Sequence, residues 1–318
     1  SANYLQATGR SLGRAEKSDD NRIAIIVAQG NIIHGQGEPE QIASLDICKE
    51  IRKAREDKAV KAVVLRIDSG GGSAFASEYI RQELLRTKEA GKKLVVSMGS
   101  MAASGGYWLA ADADAILASP YTLTGSIGIF GAFPSFQDTL AHYGIFSDGT
   151  ATTRIAGDGD PTRTLSSETE QAIQLKVQHG YEQFLDVVAA GRHMDRGRVE
   201  EIAEGRVWDG ATAQQLGLVD KLGDMNDAIV EAAFLAGLSS YTPSYMEVEL
   251  TPGQEFLKQL RQSMVRVMPH HHGIAMRVLP ESSRLMELIK SHFAFLADAG
   301  DPAGLYSHCM LPPGALSY

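Results

Sequence analysis

Apolar and polar positions along the first half of the chain predict strands that are each followed by a helix. Residues 22–33 form a β-branched apolar run, which is typical of a buried strand. Residues 38–56 then carry apolar side chains near helical spacing, from Ile42 to Ala54. The order of strand, small residues and helix recurs in two later stretches, 61–85 and 91–115. This alternation predicts a mostly parallel sheet with helices packed against it.

The second half of the domain is predicted to be mainly helical, over 166–236. Ser167 with Glu170 three residues later fits a capping box at the start of a helix. Gly217 and Gly237 suit helix ends, since glycine adopts the left-handed conformation found there.

Three segments follow from these patterns. Residues 1–20 read as a polar linker, residues 21–240 as one large α/β domain, and residues 241–318 as a less regular extension that packs on the domain or makes an oligomer contact. Within the extension, a strand is predicted near 245–250, and two helices near 253–267 and 282–299.

Composition narrows the class of protein. The chain has 318 residues, 44% of them hydrophobic and 22% charged, as in ordinary globular proteins. A net charge of -9 argues against a nucleic-acid partner. Two cysteines, Cys48 and Cys309, are too few for a disulfide framework. No run approaches the roughly 20 apolar residues that span a bilayer, and the opening lacks both a signal-peptide core and an initiator Met, which is consistent with a fragment.

Two loops are candidates for chemistry because each joins a predicted strand to a predicted helix. The first, 68–73 (DSGGGS), exposes backbone N–H groups that can hold an anion or an oxyanion, although a plain tight turn gives the same pattern. It matches neither a phosphate loop nor a dinucleotide fingerprint. The second contains Ser104 among small residues, which indicates either a nucleophile on a sharp turn or close packing of helix on sheet. Parallel strands bring both loops to one edge of the sheet.

A serine nucleophile needs a base, and the histidines are poor candidates. His270, His271 and His272 lie in the irregular tail, and the others lack a recognisable partner. The sequence contains neither H-E-x-x-H nor C-x-x-C, so we predict no metal site. The remaining option is a serine–lysine dyad, in which desolvation keeps the lysine neutral near pH 7.

Four motifs in order resemble the signal peptide peptidase A family, also called protease IV. They are 63-VVLRIDSGGGSAFASEYIRQEL-84, 97-SMGSMAASGGYWLA-110, 122-TLTGSIGIFG-131 and 206-RVWDGATAQQLGLVDKLGD-224. The match is to the C-terminal half of the long, two-repeat form, over about 21–240, and it extends weakly to 301–309. The resemblance implies an α/β fold of the ClpP/crotonase type, a spiral of β-β-α units with a helical C-terminal extension.

The resemblance also implies a function and a set of site residues. The family cleaves remnant signal peptides at the bacterial cytoplasmic membrane, on its extracytoplasmic side, without a cofactor and as a ring-like homo-oligomer. By resemblance Ser104 is the nucleophile, Gly71 and the N–H of Gly105 form the oxyanion hole, and Ser126 orients the catalytic lysine.

The lysine itself departs from the short-form pattern. Aligning Pro161 and Arg163 with that pattern puts Ala156 where the lysine should be, and alanine cannot accept a proton. Lys176 and Lys221 follow without a supporting motif, and Arg154 stays protonated. In the long form the lysine comes from the N-terminal repeat, so the resemblance implies a dyad shared with that repeat or with another subunit.

Two other readings remain open from the sequence. A crotonase-type acyl-CoA enzyme would share the fold and an oxyanion hole but would not need Ser104. A non-catalytic scaffold half is favoured by Ala156 and opposed by the intact set of Ser104, Gly71 and Ser126.

Overall fold

A computed structural model describes residues 21–38, 40–131, 135–150, 152–153, 155–246, 301–302 and 304–309. Its main sheet is built around three long parallel strands, β1 (Arg22–Gln29), β4 (Val60–Ser69) and β6 (Lys93–Ala103). Shorter strands complete the sheet: β7 (Ala115–Ala118), β8 (Leu123–Gly125), β10 (Val207–Asp209), β11 (Lys221–Leu222) and β12 (Thr242–Tyr245). The order is β10-β8-β6-β4-β1-β12, with β7 pairing with both β6 and β11.

A second, smaller sheet lies beside the ends of the long strands. Its order is β3-β2-β5-β13-β9. The members are β2 (Asn31–Ile33), β3 (Gln41–Ala43), β5 (Gly71–Ser73), β9 (Phe130–Gly131) and β13 (Leu305–His308).

Helices cover both faces of the main sheet. They are α1 (Ser44–Glu56), α2 (Ala74–Glu89), α3 (Gly105–Ala110), α4 (Gln137–His142), α5 (Ser167–Arg192), α6 (Arg196–Ile202), α7 (Gly210–Gln215) and α8 (Met225–Leu235). Along β4, Val63 and Leu65 lie in the apolar cluster that includes α1 and α2, whereas Ala62 and Val64 lie in the cluster that includes α8. Successive strand residues point to opposite faces, so an apolar run fits a strand that is buried on both.

The predicted fold class is confirmed. A long strand of the main sheet continues into a short strand of the second sheet and then into a helix: β4, β5 and α2 follow this order, and β1 and β2 lead through β3 into α1. This is the spiral of β-β-α units that the resemblance implied. Each turn of the spiral ends a long strand at the same edge of the main sheet, which is where the candidate loops lie.

Two local predictions need correction. The helix expected over 38–56 begins at Ser44, because Gln41–Ala43 forms a strand that pairs with β2. Leu45, one of the apolar residues at helical spacing, does not face the core, since its side chain is 45% exposed. The cap of α5 is Ser166, whose side chain accepts a hydrogen bond from the N–H of Thr169, so the capping residue lies one position before the one predicted. Ser166 and Ser167 are both capping residue types, and the sequence pattern alone does not separate them.

The helix ends were predicted correctly. Gly217 and Gly237, which follow α7 and α8, have φ values of 83° and 67°. Both are conformations that glycine adopts without a steric cost, which explains why these helices end where they do.

Parts of the predicted extension belong to the two sheets. β12 pairs in parallel with β1, and β13 pairs with β5 and β9. The polar linker 1–20, the two predicted helices of the extension and the histidine run at 270–272 lie outside the described residues, and the division into three segments stays a prediction. No described helix has the length and apolar character needed to cross a membrane.

Candidate active site

Ser104 lies on a sharp turn between β6 and α3. Its φ and ψ are 55° and -118°, a conformation that costs a non-glycine residue about 1–3 kcal/mol. The surrounding backbone holds it there: its N–H donates to the carbonyl of Gly125 at 2.8 Å, and its own carbonyl accepts from Trp108 N–H at 2.9 Å. Strain of this kind persists only where neighbouring structure enforces it, and the turn directs the serine away from the regular strand.

Gly71 and Gly105 lie against each other beside this turn. They follow β4 and β6, which are paired in parallel with Ser69 opposite Ala102. A Cβ added to Gly105 would lie 3.2 Å from the Cα of Gly71, and one added to Gly71 would lie 2.8 Å from the amide nitrogen of Gly105. Gly71 also has a φ of 107°. Neither position has room for a side chain, so the backbones form a narrow crevice next to Ser104.

Ser126 follows β8 and lies at the same edge of the main sheet as Ser104. β8 pairs in parallel with β6, with Gly125 opposite Ala103, so Ser126 and Ser104 are the residues that follow a paired position. Adjacent strands lie roughly 4.8 Å apart. Ser126 is buried, has a φ of 50°, and donates its N–H to the carbonyl of Arg206 at 2.7 Å. The structure therefore brings together all four predicted site residues, from three different loops.

The lysine candidates lie elsewhere. Ala156 is exposed in a turn, and Lys176 is exposed on α5. Lys221 is engaged by Glu231 at 2.7 Å, and Arg154 is outside the described residues. The amine for Ser104 is therefore not assigned to any of these positions.

One further lysine has a perturbed pKa but the wrong location. Burial lowers the pKa of Lys92, and its amine donates to the carbonyls of Asp57 and Val60 at 2.6 and 2.5 Å. Lys92 precedes β6, whereas Ser104 follows it. The 11 residues of β6 span roughly 33 Å at about 3.3 Å per residue, so Lys92 lies at the opposite edge of the sheet.

Sequence reasoning missed a residue that touches the candidate nucleophile. Ser307, in β13, is buried, and its Oγ lies 2.7 Å from the Oγ of Ser104. Close by, burial raises the pKa of the Cys309 thiol, and a hydrogen bond with the Ser126 side chain partly offsets that rise. In the sequence, 301-DPAGLYSHC-309 is only a weak extension of the resemblance.

In the described part of the chain, no three His, Cys, Asp or Glu side chains lie close enough together to bind a metal ion. The candidate site consists of the Ser104, Ser126 and Ser307 hydroxyls and the backbones of Gly71 and Gly105, with the Cys309 thiol beside Ser126.

Comparison with known proteins identifies the family. The sequence profile of peptidase family S49 matches residues 86–239. Protease 4 of Salmonella typhi is 41% identical to this chain over 91% of the chain and 46% of the Salmonella protein. A protein of Methanocaldococcus jannaschii that is named as a protease is 31% identical to this chain, over 69% of this chain and 70% of the Methanocaldococcus protein. The chain belongs to peptidase family S49.

The family predicted from the four motifs is therefore confirmed. A solved structure of the membrane-bound stomatin-specific protease 1510-N is similar to the S49 chain at 14% identity, with a TM-score of 0.44 over 73% of this chain and 98% of that chain. The S49 chain spans less than half the length of the Salmonella protein that it matches.

Proposed function

We propose that this chain supplies the serine nucleophile and the oxyanion hole of an S49 endopeptidase whose lysine base comes from an N-terminal repeat or a neighbouring subunit. The observation that carries the proposal is the strained Ser104 turn with the Gly71–Gly105 crevice beside it. A tight turn needed only for packing would not require a buried hydroxyl at a strained position.

The proposed roles follow from the chemistry of acyl transfer. Ser104 Oγ attacks the carbonyl carbon of the scissile peptide bond while its proton passes to the neutral lysine. The N–H of Gly105, with Gly71 beside it, stabilises the resulting oxyanion. In the structure the N–H of Gly71 donates to Ser69 Oγ at 3.0 Å. The C–N bond then breaks, and the lysine returns the proton to the leaving amine. Water hydrolyses the acyl-enzyme and restores Ser104, while Ser126 accepts a hydrogen bond that orients the lysine.

The substrate class is proposed from the motif resemblance. We propose cleaved signal peptides, which are extended and apolar, acted on at the extracytoplasmic side of the bacterial cytoplasmic membrane by a homo-oligomer. Extended peptides suit a site that lies beside a small sheet, because a strand can be added to it through main-chain hydrogen bonds.

A scaffold role is the second candidate, and one observation favours it. Ala156 stands at the aligned lysine position, Lys221 pairs with Glu231, and Lys92 lies at the opposite edge of the main sheet. In that case Ser104 would have no catalytic role, and no acyl-enzyme would form on it in the assembled protein.

Covalent labelling separates the two candidates. This chain joined to the N-terminal repeat that the proposal requires, here called the full-length protein, is treated with a fluorophosphonate, and adducts are located by intact mass and peptide mapping. The proposal expects one adduct on Ser104 and its loss in Ser104→Ala. An adduct on residues 1–318 alone would mean that the lysine comes from a second copy of this chain, and no adduct on them would mean that it comes from an N-terminal repeat. An unlabelled Ser104 in a full-length protein that still hydrolyses peptides would contradict the assignment. Unlabelled and inactive full-length protein would favour the scaffold role.

A further inference from the structure

The chain fills its own candidate peptide groove. β13 lies between β5 and β9 and is antiparallel to both. Ser307 pairs with Gly72, and Tyr306 pairs with Phe130. An antiparallel partner on each side satisfies the backbone hydrogen bonds of a strand whatever its sequence. β5 and β9 are thus the two edges of a groove one strand wide.

An aspartate anchors the strand at its beginning. One carboxylate oxygen of Asp301 accepts from the Ser73 hydroxyl at 2.5 Å and from Phe75 N–H at 3.0 Å, at the N-terminus of α2. The other oxygen accepts from Leu305 N–H at 3.1 Å. A carboxylate at a helix N-terminus is stabilised both by the hydrogen bonds and by the helix dipole. Asp301 therefore ties β13 to the helix that follows the Gly71 loop.

The middle of the strand lies on the candidate catalytic atoms. Besides the contact between the two serine hydroxyls, the carbonyl oxygen of Ser307 faces the Gly71–Gly105 crevice: it is among the nearest atoms to a Cβ built on either glycine, and 3.0 Å from the one on Gly105. Beyond Ser307, Cys309 N–H donates to Gly70 carbonyl at 2.6 Å. β13 therefore crosses the candidate site in direct contact with Ser104 and beside Gly71 and Gly105.

We propose that β13, with its Asp301 anchor, is the resident ligand of a strand-addition groove between β5 and β9, and that a peptide substrate binds only when β13 leaves. The inference rests on the proposed function for the identity of the groove. The groove takes extended peptides with a small residue opposite Ser104, because Ser307 is fully buried there. Occupation by β13 lowers the apparent affinity for any peptide in proportion to the fraction of molecules that are open.

Direct peptide binding tests this without needing catalysis. A fluorescent peptide with the sequence of residues 304–309 is titrated into the full chain, and anisotropy gives the dissociation constant. Asp301→Asn and Ser307→Trp should each lower that constant about tenfold or more, the first by weakening the anchor and the second because an indole does not fit. Ser135→Trp, a matched change at an exposed serine, should leave it unchanged.

Two further readouts keep the outcomes distinct. Circular dichroism checks folding, and amide hydrogen exchange at Gly71–Ser73 should speed up in both tail variants. A peptide with Trp in place of the serine should bind the variants at least tenfold more weakly. Folded variants with faster exchange but unchanged peptide affinity would overturn the inference even if Ser104 is labelled. Tighter binding without labelling of Ser104 in the full-length protein would uphold the groove and contradict the proposed catalysis.

Discussion

Replacing Gly71 by alanine tests whether the crevice beside Ser104 is as tight as the structure indicates. At a φ of 107°, an L-residue is strained by about 1–2 kcal/mol. The added Cβ would also overlap the Ser307 carbonyl oxygen and lie 2.8 Å from the amide nitrogen of Gly105. Both are backbone atoms, so no flexible side chain can swing away, and overpacking of this kind costs about 1–3 kcal/mol more. We therefore expect Gly71→Ala to lower the free energy of unfolding by about 3 kcal/mol.

Gly35→Ala is the matched control. Gly35 has a φ of 96°, but a Cβ there would meet nothing within 4 Å. Only the backbone strain of about 1 kcal/mol applies to it. At about 3 °C per kcal/mol for a domain of this size, the melting temperature should fall by about 9 °C for Gly71→Ala and about 3 °C for Gly35→Ala. Thermal and urea unfolding followed by circular dichroism measure both variants under identical conditions.

The comparison has a clear negative outcome. If Gly71→Ala and Gly35→Ala lower the free energy of unfolding by the same amount, the backbone around Gly71 moves to accept the Cβ without an energetic penalty. The Gly71–Gly105 crevice is then not rigid. Departure of β13 removes the contact with Ser307 but not the one with Gly105. Some excess cost for Gly71→Ala should therefore persist when Ser307→Trp displaces the strand.

Three other outcomes follow from buried groups. Burial raises the pKa of the Cys48 thiol to about 12, so iodoacetamide at pH 8 should modify it at least a hundredfold more slowly in folded than in urea-unfolded protein, by peptide mapping. Glu83 is buried among three arginines, so Glu83→Gln should cost about 2–4 kcal/mol in urea unfolding, whereas Glu204→Gln at an exposed ion pair should cost under about 0.5 kcal/mol. Burial also raises the pKa of Tyr107. The unfolded chain, with a tyrosine pKa near 10, therefore loses this proton first, and stability should fall above about pH 10, less steeply in Tyr107→Phe.

Much of the site could be predicted because parallel topology determines where loops meet. Once 61–85 and 91–115 are read as strand-loop-helix units, the rule that parallel strands end at one sheet edge brings Gly71 and Ser104 together. The prediction that Ser126 belongs to the candidate site, and that the units form a β-β-α spiral, depended on the motif resemblance. Periodicity alone does not show that 122–131 lies beside β6.

The second sheet could not be predicted from local pattern. β5 is Gly-Gly-Ser and β9 is two residues long, so neither carries a period of two that could be recognised. β13 pairs with residues more than 170 positions away, and its docking depends on an aspartate that caps a distant helix. Such contacts are tertiary, and three-residue strands are stabilised by their neighbours rather than by propensity.

Under the proposed function, β13 and the lysine base of Ser104 compete for the same space. Cys309 reaches Ser126, which is the residue proposed to orient the lysine, and Ser307 covers the Ser104 hydroxyl. An amine that is to take the serine proton must come within hydrogen-bond distance of both hydroxyls. Under the proposed function, docking of the lysine-bearing part and departure of β13 are therefore coupled equilibria, and each favours the other by the same coupling free energy. A chain that has not assembled would keep its nucleophile covered, and assembly would open the groove and complete the dyad together.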